Sequence, residues 1–215
     1  DPLIVGPLEG LKVLEIGDLA EITGKLLADA GARVIRIEPL EGAKSRHQGP
    51  YVDDVFDVNH SLRFAASNTS KLSITLSLND LRSEELLVKL FQDVDVILVG
   101  SSIGTLNNIS MSAERALKLK PEIIWCSITP FGLTGPWKDW HSSDLVQLAL
   151  GGPMMSTGYD DHDLPPIRSD GEHSLAIAGE YAVTALLSAL WLRDMNDGRA
   201  GQIIDVSVHE AVSAT

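Results

Sequence analysis

Short aliphatic runs alternate with amphipathic stretches over the first 130 residues or so of the chain. The aliphatic runs predict buried strands, and the stretches between them have the spacing of helices with one apolar face. The predicted strands are Leu11–Ile16, Val34–Ile37, Leu72–Leu78, Asp95–Val99 and Ile123–Ile128, and the predicted helices are Ile22–Ala30, Ser83–Phe91 and Met111–Leu119. This order predicts an α/β fold with a doubly wound, mainly parallel, Rossmann-like sheet.

Polar, turn-rich segments interrupt this alternation twice. Leu40–Leu62 predicts a long irregular excursion, and loops of that length are usually functional or mobile. Beyond Thr129 the pattern predicts a turn-rich loop, a short helix, a second loop, a long helix, a strand and the first turns of another helix. These segments are Phe131–Pro136, Asp144–Leu150, Gly151–Glu172, Leu175–Arg193, Ile203–Val208 and His209–Thr215.

One stretch is apolar enough to resemble a membrane span. Ser174–Leu192 is apolar for most of its length, but Glu180 lies inside it and no basic flank precedes it. These features favour a buried helix of a soluble protein over a membrane helix. The amino terminus shows no basic region followed by an apolar run, so we expect neither a signal peptide nor a membrane partner.

Composition narrows the classes of function. The 215 residues suggest one large domain or one and a half, and the formal net charge of −13 argues against a nucleic-acid partner. Cys126 is the single cysteine, which excludes an intrachain disulfide and a cysteine-based metal cluster. We expect an inert core thiol, no metal and a cytoplasmic location.

The loop after the first strand is the first candidate for chemistry. Dinucleotide binding favours G-x-G-x-x-G, but Gly17 is followed by Asp18 and then by Glu21, with no second glycine. Glu38, at the end of the second strand, stands where a ribose-binding acid would stand. A Rossmann-type nucleotide-binding enzyme is therefore kept as a disfavoured alternative. His141 near Asp144 is a possible base with its orienting group.

Five ordered segments together resemble the family III CoA-transferases, the carnitine dehydratase and bile-acid-inducible F group. They are Pro7–Glu15, Leu27–Glu38, Asn68–Ser73, Phe131–Pro136 and Gly198–Ser207. The resemblance implies a Rossmann-like large domain followed by a second domain, in interlocked dimers. Residues 1–215 would then be the amino-terminal part of the large domain, with the second domain absent from this chain.

The resemblance implies a carboxylate nucleophile and shows where it should lie. In the family an aspartate attacks an acyl-CoA thioester and then carries CoA, which splits the transfer into two easier steps. That position falls on Leu175, which cannot act as a nucleophile. Asp170 and Glu172 precede it closely, so we expect either to substitute if the loop is shifted. The histidine of the family's racemase branch is replaced by Ser143.

The resemblance also implies a set of residues that contact coenzyme A or acyl-CoA, the expected substrate. Several basic or polar positions of the family are changed here, with Leu72 in place of an arginine and Asn108 in place of a basic residue. Lost charge-assisted contacts to phosphate weaken binding. The predicted CoA-binding residues are Asp18, Leu19, Lys71, Leu76, Gly100, Ser101, Asn108 and Asp144.

Two function hypotheses therefore stand beside the disfavoured one. In the first, the chain handles acyl-CoA as a CoA-transferase, either as a divergent enzyme or as a degenerate half. In the second, it is a structural or interaction subunit that holds a catalytic CoA-transferase partner. Both predict a homodimer or a heteromer with a catalytic half.

Overall fold

The computed structural model describes residues 6–78, 80–102, 112–161, 163–196 and 201–215. In these residues six strands form one sheet in the order β3-β2-β1-β4-β5-β6, and every neighbouring pair is parallel. The strands are β1 Lys12–Ile16, β2 Arg33–Glu38, β3 Leu72–Thr75, β4 Val96–Gly100, β5 Ile124–Thr129 and β6 Gln202–Ser207. This order is that of a Rossmann-like, doubly wound sheet, so the predicted fold class is confirmed.

Helices connect the strands and cover both faces of the sheet. In chain order they are α1 Glu21–Asp29, α2 Leu62–Asn68, α3 Leu81–Gln92, α4 Ala113–Leu119, α5 Asp144–Gly151, α6 His173–Met195 and α7 Val208–Ser213. Short 3-10 turns lie at Asp18–Ala20, Lys44–His47, Val52–Asp54 and Pro153–Met155.

Neighbouring residues of each strand serve two separate cores, because strand side chains alternate between faces. Val13 belongs to the core packed against α1, α5, α6 and α7, which also contains Leu27 and Leu186. Leu14 belongs to the opposite core, where Leu87 and Phe91 of α3 pack. The near-continuous apolar strands are thus buried on both sides, as is usual for a parallel sheet.

Two segments of the structure differ from the sequence prediction for physical reasons. α2 escapes the pattern because its buried positions are Ser67 and Asn68, so no apolar stripe marks it. Its start is capped by Ser61, whose hydroxyl accepts a hydrogen bond from the Phe64 N–H. The strand predicted to reach Leu78 ends at Thr75, and it is an exposed edge strand. Met111, the predicted start of α4, lies outside the described residues.

The long helix α6 is buried on one face only, which corrects the expectation of a buried helix. Small residues such as Ala178 and Ala182 are buried in the core, while Tyr181, Leu187 and Trp191 are exposed on the other side. Within the described residues α6 is the one helix long and apolar enough to cross a membrane by length and composition. A helix packed against its own sheet passes the same test, so this is weak evidence for a span.

Candidate functional site

The carboxyl ends of β1 and β4 form the point where the strand order reverses, which is where ligands bind in open α/β sheets. Two glycines let the backbones meet there. A Cβ on Gly17, whose φ is +86°, would lie 2.3 Å from the Gly100 carbonyl oxygen, and one on Gly100 would lie 2.1 Å from the Ala20 nitrogen. Close approach is thus provided by a glycine on each strand, rather than by several glycines in one loop.

Three adjoining cavities follow this edge of the sheet. Their volumes are about 420 Å³ beside β2, about 480 Å³ beside β4 and β5, and about 160 Å³ at the start of α6. The shared walls are formed by Asp18, Lys44 and Ser101 between the first two, and by Leu19, Pro130 and Ser142 between the last two. We call the three together the edge cleft.

Most of the residues predicted to bind CoA line the edge cleft. Leu76 lines the first cavity, Asp144 the third, and the others lie at the shared walls or in the middle cavity. The lining residues from the predicted set are Asp18, Leu19, Leu76, Gly100, Ser101 and Asp144. Asn108 lies outside the described residues. The structure brings six predicted residues together, and their role in binding CoA stays a prediction.

Lys71, the remaining predicted contact, is placed elsewhere. Its side chain is 2% exposed, and its ammonium lies 2.9 Å from the Glu15 carboxylate. It also donates to the Glu21 carbonyl and to the Asn68 side chain. The Ser73 hydroxyl donates a hydrogen bond to the Glu38 carboxylate. The side chains of Asn68, Lys71 and Ser73 thus all make contacts within the protein. Lys71 is directed into the protein and lines none of the three cavities.

Lys71 belongs to a buried ionic cluster beneath the edge cleft, formed by Glu15, Asp18, Glu21, Arg36 and Lys71. Arg36 is the hub, pairing with Glu15, with Glu21 at 2.8 Å and with Asp18 at 3.1 Å. Burial raises the pKa of Glu15, against the lowering effect of Lys71 and Arg36, and burial lowers the pKa of Lys71. The cluster holds the turn after β1 in place, and with it Asp18 at the cleft.

The third cavity contains the position where the resemblance expects a nucleophile. Leu175 lines it together with Glu172 and Asp144. Asp144 accepts hydrogen bonds at one oxygen from the Ser174 N–H at 2.9 Å and the Ser174 hydroxyl at 2.7 Å. Its other oxygen is buried with no hydrogen-bond partner among the described residues, and the nearest cation is Arg168 at 3.9 Å. An underpaired carboxylate thus faces the cavity.

The structure separates the two predicted substitutes for the missing aspartate. Asp170 is exposed, accepts a bond from the Gly171 N–H and lines none of the described cavities. Glu172 lies at the start of α6 in a left-handed conformation, with φ of 55°. Its carboxylate is half-buried, pairs with Arg63 and lines the third cavity. Burial raises the pKa of Glu172; Arg63 opposes this, and the nearby acids Glu21 and Asp144 add to it.

Several side chains at the edge cleft were not singled out from the sequence. Lys44 and Lys138 line the middle cavity with Trp140 and are the cations there that could meet a phosphate. Trp140 stacks on Trp137, with ring centroids 5.2 Å apart. Their positions in the sequence could have indicated them, since Lys44 follows β2 and Lys138 follows β5 at the carboxyl edge of the sheet. Predicted His141 lines the middle cavity, while Asp144 lines the third.

The single cysteine is not suited to act as a nucleophile at this site. Cys126 is buried in β5, and burial raises the pKa of its thiol to about 12, so the thiol is protonated at neutral pH. In the part of the chain that the structure describes, no group of three or more His, Cys, Asp or Glu residues is arranged to hold a metal ion.

Comparison with known proteins identifies the family. The family model for CoA-transferase family III matches residues 8–215. The chain belongs to this family. It is 33% identical over 207 residues to formyl-CoA:oxalate CoA-transferase of Streptomyces avermitilis, covering 95% of this chain and 48% of that protein. It is 32% identical over 213 residues to acetyl-CoA:oxalate CoA-transferase of Acetobacter aceti, covering 97% and 52%.

A solved structure agrees with the sequence comparison. A CAIB/BAIF family protein from Brucella suis superimposes with a TM-score of 0.88 at 31% identity, covering 98% of this chain and 55% of that one. The chain spans about half the length of the curated relatives it matches. The family resemblance predicted from the five motifs is thus confirmed.

Proposed function

We propose that the edge cleft binds an acyl-CoA thioester and that Glu172 is the nucleophile of a CoA transfer between acyl-CoA and a free carboxylate. One observation carries this proposal. Glu172 lines the same cavity as Leu175, the position on which the family's nucleophile falls, whereas Asp170 does not. Family membership supports the reaction class, and the relatives named above supply examples of it.

The reaction proceeds through acyl transfers that balance at each step. A carboxylate oxygen of Glu172 attacks the thioester carbonyl carbon, the C–S bond breaks, and a mixed anhydride and CoA thiolate form. The thiolate then attacks the glutamyl carbonyl, which releases the donor acid as a carboxylate and leaves a glutamyl-CoA thioester. The acceptor carboxylate attacks that thioester to give a second anhydride and free thiolate. The thiolate finally attacks the acceptor acyl carbon, which yields the new acyl-CoA and restores Glu172.

Other residues of the cleft support these steps. Lys44 and Lys138 meet phosphate oxygens of CoA at the middle cavity by charge-assisted bonds. Because burial raises the pKa of Glu172, its carboxylate is more basic, and so a stronger nucleophile when ionised, than an exposed one. Asp144, held by Ser174, lies beside Glu172 in the third cavity and adds to the rise in the pKa of Glu172.

The test is covalent trapping on a matched pair of carboxylates. The chain is incubated with acetyl-CoA or succinyl-CoA and then with hydroxylamine, which converts a glutamyl thioester into a hydroxamate that peptide mass spectrometry locates. We expect the label on Glu172, no label in Glu172→Gln, and full labelling in Asp170→Asn. Labelling that persists in Glu172→Gln, or a complete absence of label in a folded chain that binds CoA, contradicts the proposed nucleophile.

The pH dependence gives a second check. Glu172 must be ionised to attack, and its pKa lies above the ordinary glutamate value of 4.5. Adduct formation should therefore be constant at neutral pH and fall as pH decreases, with a midpoint higher than 4.5. A midpoint at or below that value would show that the labelled carboxylate is not the half-buried one.

A structural subunit is the second candidate. It is favoured by Leu175 at the expected nucleophile position and by the exposed apolar face of α6, with Trp191 71% exposed. Calorimetric titration of the folded chain with CoA and acetyl-CoA separates the two candidates. Binding of neither ligand removes the first and leaves the second. The homodimer or heteromer and the cytoplasmic location stay predictions.

A further inference from the structure

A second groove lies on the far side of Glu172, between α1 and α2. Its volume is about 320 Å³, and it opens to solvent beside the start of α6. Its wall combines aliphatic side chains with basic and acidic groups, and we call it the α1–α2 groove. The lining residues used below are Ile22, Leu26, Arg63, Ala66 and Glu172. An apolar wall next to a guanidinium suits a small organic anion.

Arg63 has an uncommitted donor edge in this groove. Its side chain is 22% exposed, and a terminal nitrogen pairs with the Glu172 carboxylate. Its Nε atom is buried and has no hydrogen-bond partner among the described residues. A guanidinium offers five N–H donors in a planar fork that matches a carboxylate. A buried N–H without a partner is costly, so a small turn of the side chain that lets a ligand carboxylate accept from it is favoured.

Glu172 connects the two spaces. It is the residue that lines both the α1–α2 groove and the third cavity of the edge cleft, as far as the described residues show. Its carboxylate is 38% exposed, and it occupies the place on Arg63 where an external carboxylate could bind. Replacing one carboxylate by another on the same guanidinium keeps Arg63 paired with a carboxylate.

We propose that Arg63 is the specificity-determining residue for the free acid substrate, whose carboxylate displaces Glu172 from the guanidinium while its aliphatic part packs on Ile22, Leu26 and Ala66. The displaced Glu172 then turns into the third cavity, where the proposed function, on which this inference rests, requires a nucleophile. Acid binding thereby shifts Glu172 further toward the third cavity, which it already lines without the acid. The favoured ligand class is a short aliphatic carboxylate.

The experiment measures binding of butyrate to the 215-residue chain, with butyramide as the uncharged probe. Calorimetry or NMR titration should show butyrate binding and no butyramide binding. Arg63→Gln should weaken butyrate binding about tenfold or more, because a charge-assisted bond is lost. Glu172→Gln should strengthen it several-fold, because the competing carboxylate is gone. Arg33→Gln, an exposed arginine at the opposite end of β2, is the matched control and should change nothing.

The opposite directions of the two substitutions separate ligand binding from a structural role. If Arg63 only stabilised the helix start, both substitutions would lower stability and neither would raise affinity. Arg63→Lys keeps the charge but loses the fork, and it should bind butyrate with intermediate affinity. It also serves if Arg63→Gln does not fold, as judged by circular dichroism. Unchanged affinity in both Arg63 variants, or no gain in Glu172→Gln, overturns the inference.

A parallel titration with CoA distinguishes this inference from the proposed function. CoA contacts the edge cleft, so its affinity should be the same in the parent and in the Arg63 variants. If CoA binding or trapping fails while butyrate follows the expected order, the proposed function fails and Arg63 remains a carboxylate site. If trapping succeeds while butyrate affinity ignores Arg63, the inference fails and the nucleophile stands.

Discussion

Two groups of charged side chains lie at the same edge of the sheet and differ in how they are paired. In the buried ionic cluster, Glu15, Asp18 and Glu21 each have a cation within 3.1 Å. Beside the start of α6, one oxygen of Asp144 has Arg168 at 3.9 Å as its only cation among the described residues. In the cluster Glu15, Arg36 and Lys71 are almost fully buried and only Asp18 reaches the cleft, whereas Glu172 lies between two open spaces.

The difference separates charges that hold the fold from charges that remain available to a ligand. Breaking a closed, paired network leaves a buried charge that neither water nor a partner can reach, so the cost falls on folding. An underpaired group beside a cavity can exchange its partner for a ligand at small cost. We therefore expect substitutions in the cluster to affect stability, and substitutions at the start of α6 to affect binding.

Lys71→Met should lower the free energy of unfolding more than any other substitution considered below. It leaves Glu15, which is fully buried, with Arg36 as its remaining cation, and removal of one partner of a buried pair costs about 3–5 kcal/mol. Because burial raises the pKa of Glu15 and one of its two cations is gone, the carboxyl takes up a proton more readily in the folded state than in the unfolded state. Its contribution is present at low pH and is lost as pH rises above the ordinary glutamate value of 4.5, so the loss in the free energy of unfolding should grow in that direction.

Lys12→Met is the matched control for that comparison. Lys12 pairs with Asp93 at 2.8 Å, but the two side chains are 42% and 79% exposed. An exposed pair contributes about 0–1 kcal/mol. Urea unfolding of both variants measures the contrast. Equal losses of unfolding free energy would show that the buried ion pair stabilises the fold no more than the exposed one, which contradicts the distinction between the two regions.

Glu38→Gln should cause the second-largest loss in the free energy of unfolding. The pKa of Glu38 is held at about 2, although burial works to raise it, by bonds from Arg46, Ser73 and the Ala43 N–H. The arginine donates to both carboxylate oxygens, at 2.6 and 2.8 Å. At 1.36 kcal/mol per pKa unit, ionised Glu38 stabilises the fold by about 3 kcal/mol at neutral pH.

The sign of the pH effect tests that assignment. A carboxyl with a lowered pKa contributes above its unfolded value of about 4.5, and the contribution is lost as pH falls toward 2. The difference in unfolding free energy between the parent and Glu38→Gln should therefore be constant near neutral pH and shrink on acidification. A constant difference down to pH 2.5 would mean that Glu38 acts through shape rather than charge.

Ser174→Ala should have the smallest effect on stability of the three. Ser174 is 1% exposed, and its hydroxyl donates to Asp144 at 2.7 Å. Loss of a hydrogen bond to a charged group costs about 1.5–3 kcal/mol, and the remaining bond from the Ser174 N–H keeps the expected value near the lower end. Ser188→Ala on the exposed side of α6 is the control and should change little. A loss of unfolding free energy as large as that of Lys71→Met would show that Asp144 and Ser174 stabilise the fold in the same way as the buried ionic cluster.

Local pattern was sufficient for most of the fold. The apolar runs that became β1, β2, β4 and β5 were recognised because strands buried on both faces are continuously apolar. α2 was missed because its buried residues are polar, and Ser61 rather than an apolar stripe defines its start. The exposed outer face of α6 was also missed, since composition alone does not show which side of a helix meets the sheet.

The candidate site was predicted less completely. Asp18, Gly100 and Ser101 lie at strand ends, so topology alone brings them to one edge. Lys71 was expected at the ligand, but it pairs with Glu15, a residue on a strand that does not adjoin β3. Arg63 was not singled out at all, because its position beside Glu172 depends on α2 meeting the start of α6.

The sequence by itself determined the order of the strands and of every helix except α2, the family, and the leucine at the position of the expected nucleophile, since each of these depends on local pattern or on motifs in order. Only the tertiary structure decided which carboxylate faces the cavity. Asp170 and Glu172 are two residues apart and chemically alike, yet Glu172 is half-buried against Arg63 and lines the cavity, while Asp170 is exposed. Charge pairing is non-local, so the fold alone decides which charges are closed off and which remain open to a ligand.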